Sequence, residues 1–257
     1  MLAILSPAKS LDYESPLATR KFSEPAFVAD SEILINKLRE FEPNEISSLM
    51  GISDNLAELN HRRYADWQPE FPKKCARPAI LAFSGDVYLG LEGPTLSERD
   101  FTWAQKHVRI LSGLHGLLRP LDRIRPYRLE MGTQLKTQRG KNLYQFWGDQ
   151  VTDALNTAIS EQADNVLINL ASDEYYAVLQ SERINARIIK VHFRDWKNGQ
   201  YKFLSFFAKK ARGSMARYMI DKRVKSLKAL RGFDYDGYQL NSDLSNGDDW
   251  VFTRKQD

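Results

Sequence analysis

Short, continuous apolar runs set the frame for this chain. Met1-Leu2-Ala3-Ile4-Leu5, Val108-Arg109-Ile110-Leu111 and Asn165 to Leu170 are each the length of one buried strand. Amphipathic stretches of helical period separate them: residues 31 to 41, 97 to 107 and Gln145 to Ser160. Such a mixture predicts a mixed α/β (α+β) fold, neither all-helical nor strictly βαβ. No internal repeat or long Gly/Ser linker interrupts it, so residues 1–257 read as a single domain. The opening run has no basic flank and is too short for a signal peptide or a membrane span. One cysteine, Cys75, rules out an internal disulfide framework and fits a reducing compartment, so the expected location is the cytoplasm.

Further elements follow from local chemistry. A helix is expected after an Asp30/Ser31 cap, a second from Pro43 and a third capped by Ser53 or Asp54. Ala79 to Phe83 reads as a short strand. The stretch 113 to 132, with Pro120 and Pro126 among its glycines, reads as a structured loop. Ala186 to Trp196 and Gln200 to Phe207 are expected strands joined at Asn198-Gly199, because both turn residues tolerate positive φ. A helix from about Ala208 to Val224 follows.

Charge is unevenly placed. The net charge is +4, yet Lys190 to Arg231 holds thirteen Lys and Arg against Asp195 and Asp221, leaving the rest of the chain at −7. Concentrated positive potential suits a polyanion; the plain competitor is a solvated basic face with no partner.

Three stretches are candidates for that task. Ile46 to Leu59 follows the pattern of a DNA-binding helix–hairpin–helix, in which amides at Gly51, Ile52 and Ser53 hold a phosphate. Ser53 stands where a second glycine is usual, and Asp54 and Glu58 add negative charge; His61, Arg62 and Arg63 offset it. The competing reading is a helical hairpin that only packs. In the helix after Phe207, Ala208, Ala211, Met215 and Met219 share a face, and Lys210 and Arg217 lie opposite. Arg212 falls at the apolar edge, where it needs a carboxylate or an anionic ligand, and Gly213 marks a close backbone approach. The loop Arg119 to Glu130 carries four arginines that suit phosphate forks, with Asp122 and Glu130 as internal competitors.

Other chemistries find no support. His61, His107, His115 and His192 lack metal-ligand spacing, and neither a P-loop nor a dinucleotide fingerprint occurs, so no cofactor is expected. Lys9 follows the first strand, where active-site loops often begin, and Lys9 with Asp173, Glu174 and Lys209 is a candidate acid–base set.

Six ordered blocks carry a resemblance over nearly the whole length. They are Ser6 to Asp12, Phe83 to Tyr88, Leu111 to Gly132, Leu143 to Gly148, Asn169 to Tyr175 and Lys209 to Gly213. In these the chain resembles the YaaA family of peroxide-stress proteins. The resemblance implies a single domain of unusual topology with a positively charged cleft. It implies DNA binding aided by a helix–hairpin–helix, and a role in limiting damage from hydrogen peroxide and unincorporated iron. It points to Lys9, Arg119, Arg128, Lys209, Lys210 and Arg212 as cleft residues, and brings no reaction. A direct iron site is not expected, nor a membrane partner. The alternative is an enzyme acting on nucleic acid or a nucleotide, with its catalyst drawn from Lys9, Glu130, Asp173 and Lys209.

Overall fold

The computed structural model describes residues 1–255. Its centre is an eight-stranded sheet built from β1 (Leu2–Leu5), β2 (Val108–Ser112), β3 (Gly116–Leu118), β4 (Val166–Leu170), β5 (Arg187–Lys197), β6 (Gln200–Lys202), β7 (Gln239–Leu240) and β8 (Asp249–Arg254). The order is β7-β8-β5-β4-β1-β2-β3, with β6 paired to β5. The five strands from β8 to β2 run parallel, and β3, β6 and β7 are antiparallel additions. Parallel strands are covered on both faces, which is why β1 needs an unbroken apolar run. Leu2, Ala3, Ile4 and Leu5 are fully buried.

Helices fill the crossovers: α1 (Val28–Leu38), α2 (Pro43–Met50), α3 (Asp54–Asp66), α4 (Asp86–Leu91) and α5 (Glu98–His107) lie between β1 and β2. α6 (Gln150–Ser160) precedes β4, and α7 (Ser205–Asp221) follows β6. α5 begins where sequence places it, because Ser97 and Asp100 form a reciprocal capping box. α2 has Pro43 at its first turn and ends on Gly51 at φ 60°. The hairpin turn is also as read, with Asn198 and Gly199 at φ 53° and 80°.

Five readings need correction. The stretch 113 to 132, read as a loop, contains β3, which pairs antiparallel with β2, and Arg123–Ile124, which pairs with Arg77–Pro78. α1 starts at Val28, since the Ser31 hydroxyl is buried and hydrogen-bonds to Phe27 O and Leu114 O instead of capping. Ala79–Ala82 is a helical turn, not a strand; the amides of Ala79 and Ile80 donate to Asp122 O and Pro120 O, and only Phe83–Ser84 is extended, pairing with Ser10–Leu11. The helix read over 145–160 is broken at Gly148 (φ 47°) into Leu143–Trp147 and α6. β6 stops at Lys202, which leaves Phe203 exposed and lets α7 begin three residues before Ala208.

Candidate functional site

The chain leaves β1 and β4 in opposite directions along the sheet, β1 toward β2 and β4 toward β5. In open α/β sheets that divergence opens a crevice beyond the carboxyl ends of the two strands. Two loops meet there. The Ser6 hydroxyl accepts from Ser172 N at 2.9 Å and donates to Ser172 Oγ at 3.2 Å, tying the loop after β1 to the loop after β4. The Tyr88 hydroxyl donates to Ser6 O at 3.2 Å and fixes the first loop from below.

Beyond these loops lies a cavity of about 270 Å³, whose lining includes Lys9, Asp86, Glu174, Tyr175, Lys209 and Arg212. α7 reaches it by crossing α4 at backbone contact. A methyl group on Gly213 would lie 1.7 Å from Val87 O, and one on Gly90 would lie 2.0 Å from Lys210 O. Only glycine at both positions permits that crossing, which confirms the reading of Gly213 and brings Lys209 Nζ to 4.0 Å from Asp86.

Lys9 Nζ sits 2.7 Å from Glu130 Oε2, while Arg128 donates from Nη2 to Glu130 Oε1 at 2.8 Å. Glu130 is thus clamped between Lys9 at the cavity and Arg128 behind it. Glu174 accepts from Gly132 N at 3.0 Å. Tyr175 is buried, and desolvation pushes its phenol well above the ordinary range, so it stays a neutral hydrogen-bonding group.

Arg212 differs from the rest. It lines this cavity and also a second one of about 450 Å³ that includes Asp173, Tyr176, Lys190, Arg194, Phe203 and Asp249. Burial pulls its guanidinium below its ordinary pKa, opposed by the field of Asp173. Among the described residues no carboxylate lies within ion-pair distance of it. A half-buried guanidinium so placed gains from any anion that enters either cavity.

Other sequence candidates lie elsewhere. Arg119 binds Asp122, which is 1% exposed, and donates to Glu24 O. Lys210 pairs with Asp236, and Arg217 with Asp221 and the carbonyl of Glu92, so neither presents the free outer face read from helical spacing. At the α2–α3 turn the amides of Gly51 and Ile52 both point to Ser47 O, and Ser53 makes no side-chain cap. The hairpin's own amides are therefore engaged, and the open donors are those at the start of α3. Arg63 leans on Asn60, and Arg62 is exposed. Asp86 was not among the candidate residues; its signals in the sequence were the Gly85-Asp86 pair after an apolar run and its place in the block Phe83 to Tyr88.

A family model described as peroxide stress protein YaaA matches residues 1–244. The chain belongs to that family. A relative named UPF0246 protein, from Colwellia psychrerythraea strain 34H, is 55% identical over 256 residues and covers 100% of both chains. The family's name supports a role in peroxide stress. Among the described residues no helix is long and apolar enough to cross a membrane, and no three His, Cys, Asp or Glu side chains cluster as a metal site.

Proposed function

We propose that this chain is a DNA-binding protein of the peroxide-stress response that grips the phosphate backbone with little regard for sequence. The observation that carries the reading is the state of the basic segment. Of its thirteen Lys and Arg, only Lys209, Lys210, Arg217 and Arg223 lie within ion-pair distance of a carboxylate among the described residues. Of the remaining nine, Lys190, Lys197, Lys222, Lys225, Lys228 and Arg231 are exposed and act outward, while Arg212 is turned to the cavities. The paired loops after β1 and β4, with Arg212 between two cavities, supply the positively charged cleft of this reading. The α2–turn–α3 unit, closely packed through buried Ile46 and Ala57, serves as a helix–hairpin–helix whose α3 start faces a phosphate. Protection against peroxide and unincorporated iron then comes indirectly, by shielding the bound DNA.

The test is an anisotropy titration of labelled duplex over a range of salt. Log affinity falls linearly with log salt, with a slope of about 0.9 per neutralised phosphate. Absence of binding at low salt, or binding indifferent to salt, ends the proposal.

A second reading has one observation in its favour: Lys9 and Glu130 touch at the mouth of a strand-end cavity that Lys209 also lines, with Asp173 in the adjoining one. That is the placement of an acid–base set acting on nucleic acid or a nucleotide. A nucleotide-processing activity that Lys9→Ala and Glu130→Gln abolish establishes it, and one indifferent to both substitutions removes it.

A further inference from the structure

The larger cavity has an unusual wall. β4 pairs with β5 only from Arg187 to Lys190, and β6 takes up the same edge of β5 at Asp195. Between them Val191 to Arg194 have no strand partner on that side, although β8 pairs with them on the other. Alternation settles which residues face the gap. Arg187 N donates toward β4, to Asn165 O, and Lys190 N away from it, to Asp248 O. Val191 and Phe193 therefore turn their backbone groups to that side. The pairing of Asn169 with Lys190 takes up the Val191 N–H, so the Val191 C=O and the Phe193 N–H and C=O are left at the gap, and both residues line the cavity even though their side chains are buried in the core.

The gap is four residues long, about 13 Å at ~3.3 Å per residue. Strands close it at both ends, so an extended peptide cannot lie along it as an added strand. A compact planar group with its own donors and acceptors along one edge fits better. Around the gap stand the aromatic rings of Phe203, 60% exposed, and Tyr176. Cations outweigh acids: Lys190, Arg194 and Arg212 face Asp173 and Asp249, the latter 3.3 Å from His192. At about 450 Å³ the cavity is in the range of small-ligand sites, ~300–1,000 Å³.

A hydrogen-bonding strand edge, an aromatic ring free to stack and a guanidinium nearby are what an unstacked nucleotide needs for its base edge, base face and phosphate. We infer that the cavity between the end of β4 and the start of β6 receives an unpaired nucleobase of the bound DNA. Val191 and Phe193 meet the base edge, Phe203 stacks on its face, and Arg212 holds the phosphate that follows. This rests on the DNA-binding reading and adds a preference for DNA in which one base is already free, where the cost of unstacking is lowest.

The experiment uses the full chain and two labelled duplexes identical but for one unpaired base, with a labelled mononucleotide as a third probe. The expected result is tighter binding of the unpaired-base duplex by about fivefold or more, from one base stack. Phe203→Ala abolishes the preference, Phe203→Trp keeps it, and neither changes affinity for the fully paired duplex. Equal affinity for the two duplexes, unaltered by Phe203→Ala, overturns the inference and leaves DNA binding standing. Failure to bind either duplex overturns both. Phe203-dependent binding of the mononucleotide without a preference between duplexes reassigns the cavity to free nucleotides and overturns the DNA source.

Discussion

The arginines of the 119–130 loop and the basic residues of the 190–231 segment are put to different uses. In the loop, Arg119 and Arg128 are bound to Asp122 and Glu130, and Arg125 donates to the carbonyls of Glu70 and Asp66. Arg123 lies buried over the ring of Phe22, 3.4 Å from its centroid. In the segment most cations have no acid within reach, and most of those are lysines. The difference follows from the groups themselves. A guanidinium is a rigid fork that fits fixed carbonyls and carboxylates, so arginines in a loop become its cross-links. An ammonium on a flexible stem is strongly hydrated and remains in solvent, where it contributes field without holding structure. The loop is a scaffold; the segment supplies potential.

The largest effect that tests this contrast is on stability. Asp122→Ala removes the acceptor shared by Arg119 and Ser23 and leaves both donors beside a cavity, so it should lower unfolding free energy by about 3 kcal/mol in urea denaturation. Loss of less than about 0.5 kcal/mol would place Asp122 outside the scaffold.

The turn that leads into this loop, between β2 and β3, should also make the fold sensitive to acid. His115 is fully buried, its Nδ1 2.9 Å from the Ser31 hydroxyl, and burial holds its pKa down to about 3. Unfolded histidine titrates near 6.5, so between those values the unfolded chain binds the proton that the folded chain refuses. The stabilisation is complete above about pH 6.5 and is lost as pH falls, by roughly 1.4 kcal/mol per unit. Thermal midpoints taken across that range should fall accordingly, and His115→Asn should flatten the profile.

The smallest effect on stability should come from the segment. Replacing Lys222, Lys225 and Lys228 together by Ala should leave the unfolding midpoint within error, because each is exposed and unpaired. The same variant should bind duplex more weakly, with the salt slope reduced by up to about 0.9 for each lysine that meets a phosphate. A stable variant with wild-type slope would move the DNA surface away from this stretch.

Much of this was readable residue by residue. The unbroken apolar run of β1, the helical period over 97 to 107, Pro43 at a helix start and the Asn198-Gly199 turn depend on neighbours a few positions away, and local chemistry settles them. Gly213 was readable too, as a residue whose missing side chain needs a neighbour's backbone. Legibility failed where partners come from afar: Ser31, read as a cap, is claimed by Leu114 O, and Ala79 to Phe83, read as a strand, is claimed by the carbonyls of the arginine loop.

The uneven charge, the family blocks and the mixed α/β character were determined by the sequence alone, since each is a sum over residue types or a local period. Which cations are neutralised was decided by the tertiary structure. Arg119 and Arg212 are the same side chain in similarly basic surroundings, yet one is closed on a buried carboxylate three residues away and the other is left between two cavities. Pairing depends on where strands end and helices cross, and those positions are set by packing over more than a hundred residues of chain separation.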